Sequence, residues 1–138
     1  MSRMDATAAT LPLRSDEDVV RMRQQVREKL VALGFSLIDQ TKMVTAASEL
    51  ARNTLRYGGG GEVHLQHLHQ GLRNGMQLVF IDQGPGIADI GQALKDGYTT
   101  GGGMGLGLSG AKRLADEFDI ESAPGAGTTV SITKWKPY

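Results

Sequence analysis

Three short segments carry residue types that could do chemistry together, and they come in a fixed order. Glu49-Leu50-Ala51-Arg52-Asn53 lies in a stretch of helical pattern. Glu49 and Asn53 are four residues apart, so a helix sets them one turn from each other on one face. A carboxylate there can orient or deprotonate a hydroxyl nucleophile. A neutral amide oxygen suits Mg2+, which prefers oxygen ligands and keeps several waters. Asp82-Gln83-Gly84-Pro85-Gly86 closes an apolar run. An acid at a strand end stands on the sheet rim, where ligands are commonly bound, and flanking glycines let a flat ring lie against the backbone. Gly101-Gly102-Gly103-Met104-Gly105-Leu106-Gly107-Leu108 places five glycines in seven positions ahead of a helical pattern. Exposed backbone amides at a helix N-terminus make an anion site. Each segment also has a plainer reading, as a solvated face shared with Arg52 and Arg56 or as simple turn chemistry. In combination they supply the parts of a Mg-nucleotide site.

Competing motifs fail on context. Gly105-Leu106-Gly107-Leu108-Ser109-Gly110 matches the Gly-x-Gly-x-x-Gly fingerprint formally. That fingerprint needs a strand immediately before it, and Tyr98-Thr99-Thr100-Gly101-Gly102 stands there instead. No Gly-x4-Gly-Lys-Ser/Thr segment exists, and Asp82-Gln83-Gly84 lacks a His-Arg-Asp companion loop. His64, His67 and His69 fall on one extended run. His67 and His69 would share a face, but no third metal ligand accompanies them, so a polar face is the better reading.

The elements that must hold these segments follow from pattern. Thr10–Arg14 reads as a short edge strand, with Pro12 unable to donate to a ladder. Ser15 starts a helix whose first turn carries Asp16, Glu17 and Asp18, where the dipole favours anions. Val19, Met22, Val26, Leu30 and Leu33 give it one apolar stripe, and Gly34 ends it. Ser36 with Asp39 opens a second helix, to about Tyr57, offering Ile38, Val44, Ala47, Leu50, Ala51 and Leu55 to the core. Gly58–Gly61 is a turn, Glu62–Gln70 a strand, Gly71–Gly75 a hairpin turn and Met76–Asp82 a central strand. Ile87–Asp96 reads as a short helix, Tyr98–Gly103 as a loop and Leu106–Phe118 as a helix. Asp119–Ala123 and Thr128–Trp135 form a last hairpin across Pro124-Gly125-Ala126-Gly127. The expected fold class is α/β, a two-layer sandwich with a mixed, mainly antiparallel sheet and helices on one face. Residues 1–8 read as a flexible tail and 9–138 as one domain.

Composition narrows the function. With 138 residues the chain can build one real core. A formal net charge of zero argues against nucleic acid or anionic lipid as the main partner. The absence of cysteine excludes disulfides and thiolate metal sites. No apolar run reaches membrane-spanning length and no signal core opens the chain, so a cytoplasmic location is expected, with no membrane partner.

The ordered set Glu-x-x-x-Asn, Asp-x-Gly-x-Gly and Gly-x-Gly-Leu-Gly-Leu resembles the signature of the GHKL (Bergerat-fold) ATP-binding family, over roughly residues 10–136. Gyrase, the Hsp90 chaperones, histidine kinases, MutL and the anti-sigma-factor kinases share that signature. Within it the chain is most similar to the small serine/threonine switch kinases of bacterial partner-switching modules, the stressosome type in particular. Ser48–Asn53, Asp82–Ile87 and Gly110–Phe118 carry that likeness. The resemblance implies ATP and Mg2+ as cofactors. It implies Glu49 as the catalytic base or hydroxyl-orienting residue, and Asn53 as the metal ligand. Asp82 would accept from the adenine amino group, with Gly84 and Gly86 shaping the ring pocket. Gly103, Gly105 and Gly107 would wrap the phosphates, Thr128 would support the adenine end, and Thr99 or Thr100 would touch the terminal phosphate from a lid. Gly101, Gly102, Met104, Leu106 and Leu108 complete the nucleotide-binding set. Extra glycines and Met104 depart from the family pattern.

The implied activity is an ATP-dependent protein serine/threonine kinase acting on an antagonist protein of the STAS (sulfate transporter and anti-sigma antagonist) type. Such a module also permits a downstream phosphatase, cyclase or sigma factor as partner. The alternative is an anti-sigma factor that sequesters a sigma factor by direct binding. A histidine kinase needs a phosphoacceptor histidine on a dimerisation helix, usually followed by an acid, and none of the three histidines qualifies. A gyrase-like ATPase needs a second transducing domain, for which this length leaves no room.

Overall fold

The computed structural model describes residues 8–87 and 104–137, with the backbone alone at 104–107. The expected tail before Ala8, the expected helix beyond Ile87 and the loop up to Gly103 lie outside the described residues. The elements are β1 (Ala9–Leu13), α1 (Asp16–Ala32), α2 (Leu37–Arg56), β2 (Gly61–Gln70), β3 (Arg73–Asp82), α3 (Met104–Leu114), β4 (Glu117–Ser122) and β5 (Thr128–Trp135).

Both long helices start where a serine caps them. Ser15 Oγ accepts from the Asp18 N–H at 3.2 Å, and Ser36 Oγ accepts from the Asp39 N–H at 3.1 Å. Helix α1 ends in a Schellman motif: Gly34 at φ +84° donates to Val31 O, and Phe35 donates to Leu30 O, both at 3.0 Å. Phe35 and Leu30 are buried together. Helix α2 buries Met43, Ala47, Leu50 and Thr54, which recur at spacings of three and four. Ile38, expected in the core, is instead 68% exposed. It lies five positions before Met43, roughly 140° around the helix from the buried stripe.

The sheet order is β1-β2-β3-β5-β4, with β3 at its centre. The α/β two-layer sandwich is as expected, but all four pairings among the described residues are antiparallel, not mixed. Strands β3 and β4 run parallel, yet β5 lies between them, so no parallel ladder forms. The first hairpin turn is shorter than expected: Gln70 pairs with Arg73, leaving Gly71-Leu72 as the turn. Gly71, at φ +62°, takes the first central position as in a type II′ turn. Gly75 belongs to the strand, where a Cβ would come 2.6 Å from the Trp135 ring. Helix α3 starts earlier than expected and stops at Leu114, so Phe118 is on a strand. Asp116 turns the chain there: its N–H donates to Thr133 O at 2.9 Å and its carboxylate accepts the Trp135 N–H at 2.7 Å.

One sheet face carries Val63, Leu65, Met76, Leu78, Phe80, Val130 and Ile132, all buried. Helix α2 packs on β1, β2, β3 and β5, flanked by α1 and α3. Pairing at one end aligns Leu13, Gly61, Asp82, Thr128 and Ser122 in a single rank across all five strands. That rank is where the site is built. Among the described residues no helix is long and apolar enough to cross a membrane.

Candidate active site

A cavity of about 140 Å³ opens at the end of this rank. Leu50, Asn53 and Thr54 from α2, with Tyr57 at its C-cap, form one wall at helical spacings of three and four. Phe80, Asp82 and Val130 come from the sheet, with Thr128 beside Asp82 in register. Pro85, Gly86 and Ile87 close one side, and Gly58 and Leu108 complete the lining. Leu50, Phe80, Leu108 and Val130 belong to the buried core, so the floor is apolar and well packed. Its volume is below the roughly 300–1,000 Å³ of a pocket for a whole drug-sized ligand. It therefore has room for one part of such a ligand.

Asp82 is held in place. Its Oδ1 accepts the Gly84 N–H at 2.9 Å, and a Cβ on Gly58 would come within 2.3 Å of the Asp82 carboxyl carbon. A Cβ on Gly84 would sit 2.7 Å from Gly58 Cα. The two glycines thus let the end of α2 approach the strand end closely. Gly86 has φ +80°, and a Cβ there would meet Ala123 O at 2.0 Å. The turn at 124–127 is bonded to this segment, with the Gly125 N–H donating to Pro85 O at 2.7 Å.

Asn53 Nδ2 is buried without a hydrogen-bond partner among the described residues. An unsatisfied buried amide is costly, and this one borders the cavity. Glu49, one turn earlier, does not line it. Its side chain is 42% exposed and its Oε1 pairs with Arg52 at 3.1 Å. Of the expected site residues, Asn53, Asp82, Gly86, Leu108 and Thr128 meet around one cavity, and Gly84 braces it. Thr99, Thr100, Gly101, Gly102 and Gly103 lie outside the described residues. Met104, Gly105, Leu106 and Gly107 form the first turn of α3 as backbone, ahead of Leu108 in the wall.

Sequence reasoning missed Gly58, Thr54 and Tyr57 as site residues, and Ser122. Thr54 and Tyr57 share the face of Asn53, a signal that helical spacing carried. Gly58 read only as turn chemistry. Ser122 has no local signal, because its partners, Ile87 and the adjacent Gly127 and Thr128, come from two other places in the chain. The histidines contribute nothing to the cavity: His64 pairs with Glu62, and His67 Nε2 meets Asn74 Oδ1 at 2.9 Å. A larger groove of about 650 Å³, lined by Val20, Arg23, Arg27 and Val31 among others, carries none of the motif residues.

Comparison with known proteins shows the family. Residues 38–137 match the family described as histidine kinase-, DNA gyrase B-, and HSP90-like ATPase. The serine/threonine-protein kinase RsbT of Bacillus subtilis is 43% identical over 118 residues, 86% of this chain and 89% of that protein. An anti-sigma F factor of Thermoanaerobacter sp. is 32% identical over 95 residues, 66% of each chain. A solved structure of RsbU and RsbW domains from Mycobacterium tuberculosis superposes with a TM-score of 0.65 at 21% identity. It covers 98% of this chain and 34% of that one, so the present chain spans about a third of it.

Proposed function

The chain belongs to the histidine kinase-, DNA gyrase B- and HSP90-like ATPase family, and from that premise we propose that it is an ATP-dependent protein serine/threonine kinase of a partner-switching module. The observation that carries the reading is one cavity that joins Asn53 of α2 to Asp82 at the end of β3, with the Asn53 amide still lacking a partner. The kinase relative supports it.

Asp82, when ionised, is acceptor-only. Adenine offers it an amino donor, whereas guanine would offer a carbonyl oxygen and leave an unpaired acceptor, at a cost of about 1–3 kcal/mol. Asn53 fits a metal-phosphate group: its oxygen is a hard ligand, and its buried Nδ2 is free to donate to a phosphate oxygen. Mg2+, when bound, would neutralise developing charge on the transferred group. The first turn of α3 presents backbone amides of the type that hold phosphates. Glu49 would hold the incoming hydroxyl in line and accept its proton, so that transfer is mainly positioning. Its exposure suits an acceptor that arrives on another protein.

The proposed acceptor is a serine or threonine on a STAS-domain protein, and the added charge of about −2 would weaken the complex in which it was made. Purified protein incubated with ATP, Mg2+ and STAS proteins of the same organism should label a hydroxyl side chain, mapped by mass spectrometry. Acid-labile phosphohistidine, or hydrolysis with no labelled protein, overturns this assignment. The second reading, sequestration of a sigma factor, has the anti-sigma F relatives in its favour. A stable complex with a sigma factor in a pull-down, dissolved on phosphorylation of the STAS protein, would select it.

A further inference from the structure

The Ser122 hydroxyl stands beside the cavity with three polar neighbours. Its Oγ accepts from the Ile87 N–H at 2.8 Å. It donates to Gly127 O at 2.9 Å, and lies 2.8 Å from Thr128 Oγ1. A serine hydroxyl has one proton and two lone pairs. An amide N–H can only donate and a carbonyl can only accept, so two of the three contacts fix their own direction. The proton goes to Gly127 and one lone pair to Ile87. The Thr128 contact is then satisfied in one way alone, with Thr128 donating its proton to the remaining lone pair of Ser122. With the serine proton turned to Thr128 instead, Ser122 Oγ and Gly127 O would face each other at hydrogen-bond distance with no hydrogen between them.

Thr128 lines the cavity and is paired with Asp82 on one side and Ser122 on the other. With its proton directed at Ser122, its hydroxyl offers the cavity lone pairs only. We infer that Ser122 is a positioning residue that fixes the Thr128 hydroxyl as a hydrogen-bond acceptor. The ring end of the cavity then presents two acceptors, Asp82 and Thr128, and selects a ring edge bearing an amino donor over one bearing a carbonyl. Ser122 acts through Thr128 and does not itself line the cavity. The inference rests on the nucleotide reading of this cavity.

The test compares Mg-ATP with Mg-ITP, in which a carbonyl replaces the amino group and ring N1 gains a proton, and with Mg-purine riboside triphosphate, which lacks the amino group but keeps N1 bare. Calorimetry on the full chain should give the wild type an ATP preference on the order of 10- to 100-fold, the scale of one unpaired buried acceptor. Ser122→Ala frees the Thr128 proton to turn toward a carbonyl, so the ATP/ITP ratio should fall at least about fivefold. Ser122→Thr, which keeps a hydroxyl, should retain the ratio. A purely structural role would weaken both nucleotides alike and leave the ratio where it was. If Ser122→Ala binds ATP with an unchanged ratio, the inference is overturned while the nucleotide reading stands. If the wild type binds neither nucleotide, the cavity reading fails and takes the inference with it. Should Ser122→Ala not fold, as judged by its melting transition, Thr128→Val carries the test: it should weaken ATP and leave ITP almost unchanged. Equal weakening of both overturns the proton assignment.

Discussion

The ring end of the cavity and the Glu49 end are built in opposite ways. At the ring end each group is held from more than one direction. Asp82 is bonded to Gly84 and pressed by Gly58. Gly86 abuts Ala123, Pro85 O receives Gly125, and Ser122 ties Ile87 to the last turn. Glu49 sits on an open helix face, and Arg52, itself 47% exposed, is its partner. Selecting one flat ring requires polar groups fixed in advance, since a site that reorganises loses discrimination. Receiving a hydroxyl from another protein requires the opposite, a carboxylate that can be reached. On the proposed reading, the molecule fixes its polar groups where a small ligand would be read and leaves exposed the place where a macromolecule would dock.

The sharpest way to break this comparison is to separate the two ends by substitution. Glu49→Gln should lower phosphoryl transfer to the protein substrate by about 10²- to 10⁴-fold, the range for a lost general base. ATP affinity should hold within about twofold, because the carboxylate does not line the ring cavity. Single-turnover transfer assays beside calorimetry would show it. Loss of ATP binding in this variant would mean that the two ends are not independent.

Gly86→Ala attacks the other end and should act on binding. The new Cβ would meet Ala123 O at 2.0 Å and a left-handed backbone at φ +80°, itself unfavourable by about 1–2 kcal/mol for an L-residue. ATP affinity should drop at least about tenfold, and the melting temperature should fall as well. Gly58→Ala is milder. Its Cβ would come 2.3 Å from Asp82 Cγ and 2.5 Å from Asp82 Cβ, so the carboxylate and the strand end that carries it must shift. The expected result is an ATP affinity lower by about 5- to 30-fold with some loss in melting temperature, since the hydrogen-bonded carboxylate is displaced and the strand end shifts with it. If Gly58→Ala binds ATP normally, Asp82 is not the residue that reads the ring.

The fold was largely legible in the sequence, because its determinants are local. Ser15 and Ser36 cap the helices as their positions suggested, and Gly34 closes α1. Where reading failed, a distant partner decided. Gly75 looked like part of a turn, but Trp135, sixty residues on, makes it a strand residue. Phe118 looked helical, but Asp116 is captured by the backbone of Thr133 and Trp135. Ile38 is apolar and yet exposed, since a residue type does not state its angle around a helix. The site followed the same rule. Asn53 and Asp82 were read from motif spacing and Thr128 from the family resemblance, and the structure brings all three to one cavity. Gly58 and Ser122 were not legible, because Gly58 meets Asp82 between the end of α2 and the end of β3 and Ser122 meets Thr128 across strand register, which no local pattern records.

The smallest expected effect concerns Arg52. Its guanidinium lies 3.1 Å from Glu49 Oε1, with both side chains substantially open to solvent. Exposed ion pairs contribute little, typically about 0.2–1 kcal/mol, because solvent and salt screen them and two long side chains lose freedom in forming them. Arg52→Ala should therefore shift chemical-denaturation stability by less than about 1 kcal/mol and leave ATP affinity unchanged. Its informative readout is transfer. If Arg52 only neutralises an idle surface carboxylate, the rate should change by less than about threefold, and raising the salt should do the same to the wild type. If it holds Glu49 in the rotamer that meets the incoming hydroxyl, the rate should fall further while nucleotide binding stays constant. The first outcome keeps the Glu49 end as the loosely built one. The second would show that it, too, is preorganised, and the contrast between the two ends would narrow to a difference in exposure alone.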